Sequence, residues 1–306
     1  MGVIGIDTSN YTTSIAFFDG VGGENCSKLL PVKSGELGLR QSDAVFAHIK
    51  SLPELSGRLF SHIGEEIRAV GVSTRPRAVE GSYMPCFLVG LSHATLLSNA
   101  LHVPLVEVSH QQGHVAASLW SAGHLELMDE PHLAWHLSGG TTELLLVEPE
   151  GKLVKCTKIG GTTDISAGQL IDRTGQLLGL PFPSGKRLDA LSREAAGKDF
   201  FRIKCKDMTF SFSGMQNKVQ QYFDANGDPA ETAAYALRCV AYGVFHATQQ
   251  ALKAYPGLPV VFSGGVASNT LLRQVLEPLN PIFAQPQYST DNAMGVAVLA
   301  SRCTEV

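Results

Sequence analysis

Two stretches of this chain are built to one plan. Residues 2–19, GVIGIDTSNYTTSIAFFD, alternate apolar and polar residues on both sides of a Ser/Asn/Thr turn, which is the pattern of a β-hairpin. Residues 133–148, LAWHLSGGTTELLLVE, repeat it around an SGGTT turn. Each hairpin is followed by a third short apolar run (SKLLPV; KLVKCTKI) and then by alternating helix and strand signals. In the first half these are IRAVGVST, the apolar stretch 84–101, PLVEV and a helix starting near Ser109. In the second half they are ISAGQLIDRTGQLLG, the stretch 230–254, LPVVFSGG and a last helix from about Asn292. A three-strand meander followed by alternating α and β, made twice, predicts two duplicated α/β lobes. They are expected at 1–122 and 133–306, joined through SAGHLELMDEP, with a ligand cleft between them. Plain edge hairpins of one sheet would not need the Gly-rich turns SGGTT and SGGVASN.

Composition agrees and narrows the class. The chain has 306 residues, 44% of them apolar and 17% charged, enough for a sizeable folded core. No run approaches the roughly 18 apolar residues of a membrane span, and MGVIGIDTSN lacks the basic start of a signal peptide. Six scattered cysteines with no C-x-x-C pair suggest reduced thiols and a cytoplasmic location. A formal charge of −4 provides no global attraction to nucleic acid. Local basic groups occur at Lys186 and Arg187 and along Arg202, Lys204 and Lys206, and solvated surface is the simpler reading of both.

Residues 109–118, SHQQGHVAAS, place His110 and His114 four apart, on one face of a helix and close enough to share a metal. The spacing is that of the zinc-protease pattern H-E-x-x-H, but Gln111 stands where the Glu general base would be. The SGGTT turn (Ser138 to Thr142) and the turn from Ser263 to Asn269 each follow a strand. Glycine N–H groups and Ser/Thr hydroxyls there are the ingredients of an anion nest. The second turn opens a helix (NTLLRQVL) whose N-terminus adds partial positive charge, and its glycines permit close approach of a flat ring or a phosphate. Asp172 and Asp189 could accept from ribose hydroxyls or be ordinary surface acids.

IGIDTS, SHQQGHVAA, LSGGTTEL, the D-x-x-x-G-x-x-x-D run from Asp164, FSFSGMQNKV, SGGVASNTLLR and STDNAMGVA occur in this order. The set resembles the threonylcarbamoyladenosine synthase (TsaD) family, formerly labelled O-sialoglycoprotein endopeptidases, from residue 3 to about residue 300. The resemblance implies the two-lobed fold of the actin/hexokinase/chaperone ATPase (ASKHA) superfamily. It implies transfer of a threonylcarbamoyl group from threonylcarbamoyl-AMP, with an ATP/AMP-like nucleotide in the cleft, to N6 of adenosine 37 in tRNAs reading ANN codons. The metal ligands it implies are His110, His114 and Asp291, with His136 as a possible fourth, for one iron or zinc. Positions implied for the adenylate are His136, Leu137, Ser138, Gly139, Gly140, Asp172, Gly185, Asp189 and Asn269. Partners implied are a small related ATPase-fold protein and an adenylate-forming enzyme. The metal would polarise the carbamoyl end, so no Glu beside the histidines is required; no residue is singled out as catalytic acid or base.

The chain departs from that family's pattern in four places. Tyr11 and Thr12 stand for an acidic pair in the first hairpin turn, and SGGTT lacks the histidine of S-G-G-H-T. Gln169 replaces a glutamate, and Arg75 and Arg77 replace glycines, either lending charge to phosphate or RNA or pairing with Glu80. Alternatives are a divergent paralogue acting as a small-molecule carbamoyltransferase or kinase, with Asp7 as its catalytic acid, or a non-catalytic nucleotide-binding scaffold.

Overall fold

The computed structural model describes residues 1–9, 11–30, 40–289 and 293–304. In chain order, β1 (Gly2–Thr8), β2 (Thr12–Phe18) and β3 (Gly23–Leu29) form a meander. There follow α1 (Gln41–Phe60), β4 (Ile67–Arg75), α2 (Phe87–Leu101), β5 (Leu105–Ser109) and α3 (His110–Ala122). The second meander is β6 (His132–Leu137), β7 (Thr142–Glu150) and β8 (Leu153–Thr162). After it come α4 (Ala167–Leu177), α5 (Gly185–Ser192), β9 (Thr209–Phe210), α6 (Ser213–Asn226), α7 (Pro229–Ala254) and β10 (Val260–Ser263). The chain continues through α8 (Thr270–Leu276) and β11 (Ile282–Phe283) to α9 (Met294–Thr304).

The two sheets share one topology. The first is ordered β3-β2-β1-β4-β5 and the second β11-β10-β6-β7-β8-β9. In each, the hairpin is antiparallel and its first strand pairs in parallel with the next crossover strand: β1 with β4, β6 with β10. A further parallel strand completes the row, β5 in one sheet and β11 in the other. The short β9 is an addition to the second sheet alone.

The chain forms two compact units: residues 1–130, 148–156 and 287–306, and residues 131–147 and 157–286. The last helix, assigned to the second lobe by its place in the sequence, packs in the first unit. Sequence order hides this because the apolar pattern of α9 shows that it is buried, not against what. The sheet supplies the reason. Ile4, Ile6, Ile15, Val70 and Val72 fill one face together with Leu52, Leu55 and Leu59 of α1. The opposite face carries Val3, Gly5, Ala69 and Gly71, and these small residues admit a helix closely: a Cβ on Gly5 would lie 2.4 Å from the Ala293 carbonyl oxygen. Helix α3 meets α9 at equal closeness, since a Cβ on Gly295 would lie 1.8 Å from the Gly113 carbonyl oxygen.

In the second unit, α7 runs through the core, with Ala233, Ala236, Val240, Val244 and Ala247 buried. Its start is set by Asp228, whose carboxylate accepts from the Ala230 and Glu231 N–H groups, with Pro229 in the first turn. Trp135 of β6 is fully buried and its indole N–H donates to the Thr248 hydroxyl at 2.9 Å, so its one polar atom is satisfied. No helix among the described residues is long and apolar enough to cross a membrane.

Candidate functional site

In the first unit, Asp7, Ser73 and Ser109 all lie at or near the carboxyl ends of the parallel strands β1, β4 and β5, the edge at which open α/β sheets bind ligands. Ser109 caps α3 with a full capping box: its hydroxyl accepts from the Gln112 N–H and the Gln112 side chain accepts from the Ser109 N–H. The helix therefore begins at His110. From residue 110 to 119 only His110, Gln111 and His114 are not buried, so the helix is open on its histidine face alone.

Asp7 is wholly buried, and its Oδ1 accepts from the Ser73 hydroxyl and, at 2.9 Å, from Nδ1 of His110. With Oδ1 accepting from Nδ1, that nitrogen carries a ring proton, and Nε2 is the nitrogen left for a further partner. One turn on, Nε2 of His114 lies 2.9 Å from Nε2 of His110. At hydrogen-bond distance from each other, and with one ring backed by a carboxylate, the two nitrogens are close enough to serve as a donor pair for a divalent metal such as iron or zinc. Among the described residues no group of three or more His, Cys, Asp or Glu forms a fuller ligand set. Asp291 lies outside the described residues, and His136 belongs to the second unit.

The same network bears on the kinase alternative. A kinase acid must face its substrate, whereas Asp7 is enclosed and committed to His110 and Ser73.

In the second unit, the SGGTT turn closes on itself: the Ser138 N–H donates to the Thr141 carbonyl at 2.8 Å and the Thr141 N–H to the Ser138 hydroxyl at 3.0 Å. It is tied to the start of α4 by the Ser166 hydroxyl, which donates to the Gly139 carbonyl at 2.5 Å. Gly168 allows this approach, because a Cβ there would stand 2.4 Å from the Gly139 Cα. On the other side, a Cβ at Gly139 or Gly140 would meet nothing within 4 Å, so the space before the turn is open. His136 is half-buried on β6, opposite Glu143, and Leu137 is fully buried behind the turn.

Asp172, half-buried on α4, accepts from the Ser184 N–H at 2.8 Å, which sets it beside Gly185 at the start of α5. Desolvation by burial raises its pKa despite that hydrogen bond. Asp189 accepts from the Asn269 amide (2.8 Å), the Thr270 N–H (2.9 Å) and hydroxyl (2.7 Å), and Arg193 (2.8 Å). Asn269 meanwhile accepts from the Leu272 N–H at 2.9 Å. The residues implied for the adenylate thus gather into three bonded groups: the Ser138 turn on α4, Asp172 with Ser184 and Gly185, and Asp189 with Asn269.

The second glycine turn runs from Ser263 through a 3-10 turn over Gly265–Ser268 to Asn269, which caps the seven-residue helix α8. Gly264 (φ +92°) is required by packing, since a Cβ would lie 2.0 Å from the Leu137 carbonyl oxygen. It serves the sheet, not the approach of a ligand.

Some structural roles were not legible as such. Asp164 holds the start of α6, accepting from the Ser211 hydroxyl and from the Phe212 and Ser213 N–H groups at 2.8 and 3.2 Å. Burial opposes its ionisation, but these donors outweigh burial and hold its carboxyl well below the usual range. Gln169, in place of a family glutamate, accepts from the Ser166 N–H and completes a capping box, a task an amide does as well as a carboxylate. The S-x-x-Q spacing at 109–112 and 166–169 was the available signal. All six cysteines are free, and burial pushes Cys86 and Cys205 up to about 11 and Cys156 and Cys239 up to about 12.

A family model described as TsaD, tRNA N6-adenosine threonylcarbamoyltransferase, matches residues 38–298. The tRNA N6-adenosine threonylcarbamoyltransferase of Carboxydothermus hydrogenoformans is 33% identical over 246 residues, covering 76% of this chain and 70% of the relative. That of Thermosipho africanus is 30% identical over an alignment of 315 positions, covering 97% and 92%. Among solved structures, full-length HypF in its phosphate- and nucleotide-bound form has a TM-score of 0.62 at 15% identity, over 100% of this chain and 47% of that one. A ROK family glucokinase from Streptomyces griseus with glucose and AMPPNP has a TM-score of 0.56 at 12% identity, over 99% and 100%. These structures speak for the fold alone, the two-lobed ASKHA architecture that the repeated topology already displays. By sequence, this chain belongs to the tRNA N6-adenosine threonylcarbamoyltransferase (TsaD) family of tRNA t6A biosynthesis, whose members are transferases and not proteases.

Proposed function

We propose that this protein transfers the threonylcarbamoyl group of threonylcarbamoyl-AMP to N6 of adenosine 37 in tRNAs reading ANN codons. The observation that carries the reading is the convergence of His110 and His114 Nε2 at 2.9 Å, with Asp7 fixing the His110 ring. A divalent iron or zinc ion would be held by His110 and His114, with Asp291 proposed as a further ligand. When bound, it supplies Lewis acidity to the carbamoyl carbonyl. The N–H groups of Gly139 and Gly140 bind the adenylate phosphate, and Asp172 takes a ribose hydroxyl. Asp189 has its oxygens engaged by Asn269, Thr270 and Arg193, so its contribution is to hold the Asn269 amide in position. A tRNA acceptor implies the cytoplasm.

Helices α1 and α2 support the need for a protein partner. Phe46, Ile49 and Phe60 are exposed on α1, and Leu88 and Leu96 on α2. We read these side chains as the contact for the small related ATPase-fold protein. An adenylate-forming enzyme supplies the substrate.

The test supplies threonylcarbamoyl-AMP and unmodified tRNA to the metal-loaded protein and measures threonylcarbamoyladenosine by mass spectrometry after digestion. Product from wild type, its loss in His114→Ala, and about one metal per chain in wild type alone are expected. A metal-loaded protein, with its partner present, that forms no product overturns the proposal.

A further inference from the structure

We infer that Arg202, Lys204 and Lys206 form a strip that contacts the phosphate backbone of the tRNA; this rests on the tRNA reading above. The three cations stand at alternate positions of the segment that leads from α5 to β9. All three are exposed, whereas Ile203 between them is buried and Cys205 is half-buried. A period of two is that of an extended chain, which sets like-facing side chains about 6.5 Å apart. The apolar side is anchored: Ile203 joins the core around α7, and the Gln250 amide on that helix donates to the Cys205 carbonyl at 3.0 Å. One end is fixed by the Phe201 N–H, which donates to the Cys239 sulfur at 3.1 Å. The other is fixed by a reciprocal pair of backbone bonds between Lys206 and Thr209, both 2.9 Å. The row of cations is therefore held in shape from behind.

None of the three side chains has an ion-pair partner among the described residues, and Lys206 does not pair with Asp207 beside it. In sequence such a run is ordinary solvated surface; the structure adds a fixed row with its charges on one side. From Lys198 to Asp207 the chain carries four cations against two acids, although its formal charge as a whole is −4. A row of evenly spaced cations suits a polyanion whose charges repeat along a backbone. Aromatic side chains at the start of the row favour RNA over an acidic peptide. Phe200 and Phe201 are exposed there, and Phe200 is stacked on Tyr242 with ring centroids 4.1 Å apart. Cations combined with rings on which unpaired bases stack are the means by which single-stranded nucleic acid is bound. The phosphate contacts position the RNA without reading its sequence.

The experiment is fluorescence anisotropy of the full chain with labelled, unmodified tRNA at several salt concentrations. Arg202→Ala/Lys204→Ala/Lys206→Ala is expected to weaken binding about tenfold or more and to lower the slope of log K against log salt by about two to three. Lys204→Gln alone should lower the slope by about one. Both variants should melt within about 2 °C of wild type, since the altered side chains face solvent. Arg58→Ala/Arg68→Ala/Lys253→Ala removes the same charge from other exposed positions and should leave affinity within about twofold. If the strip variants match wild type, or the control variant loses as much, the inference falls while the tRNA reading stands. If poly-L-glutamate displaces the labelled tRNA as readily as unlabelled tRNA does, the strip serves acidic protein and the inference falls likewise. If wild type itself binds no tRNA, the inference falls together with direct RNA contact by this chain.

Discussion

Asp7 illustrates how one buried side chain acts through another. It touches no solvent, yet it decides which nitrogen of His110 faces outward. Asp7→Asn is expected to lower metal affinity about 10–100-fold, as outer-shell substitutions do, in a competitive zinc titration. Unchanged affinity would show that the His110 ring is oriented by other contacts. His48 presents a different case. It is buried under the first hairpin with Nδ1 2.8 Å from the Thr13 hydroxyl, and desolvation lowers its pKa from 6.5. Above about pH 6.5 the ring is neutral both folded and unfolded, and no penalty exists. Below it the unfolded chain takes up a proton that the folded chain resists, so stability falls as pH falls toward the lowered folded value. Urea midpoints at pH 7.5 and 5.5 should therefore differ, and His48→Gln should reduce the difference.

Between elements, backbone proximity carries the design. Gly295→Ala places a methyl group where α3 and α9 touch and should cost about 1–3 kcal/mol, read as a lower melting temperature. Asp189→Ala removes the acceptor that joins α5 to the start of α8 and should cost about 1–3 kcal/mol. The strands and most helices were legible because alternation and helical period are local properties, as in VIGID or the stretch 230–254. His110 and His114 were legible for the same reason, since four residues of helix fix their common face. Asp7 as their support was not, because it lies 103 residues from His110 in sequence and only the parallel pairing of β1 with β4 and of β4 with β5 joins them. Gly264 was misread because a glycine required by a neighbouring strand looks, in sequence, like one that admits a ligand.

For the molecule as a whole, the proposed function assigns different work to the two units: nitrogen donors on the first, a glycine turn and the separate carboxylates Asp172 and Asp189 on the second. The exposed apolar residues of α1 and α2 belong to neither task. Phe46→Glu/Leu96→Glu is expected to abolish co-purification with the proposed ATPase-fold partner while leaving the melting temperature of the isolated chain within about 2 °C, since both side chains face solvent. Retained co-purification would place the partner on another surface.

The position of α9 has a consequence for how this protein is made. A ribosome delivers the chain from its N-terminus, and units generally fold as they emerge. Here the sheet that emerges first lacks its covering helix until residues 294–304 are synthesised, after the whole of the second unit. Val3, Ala69 and the glycines beside them must wait uncovered while 157–286 is translated. The half begun first is thus the half finished last, and a premature stop shortly before Met294 would leave the second unit whole and the histidine-bearing one unable to close.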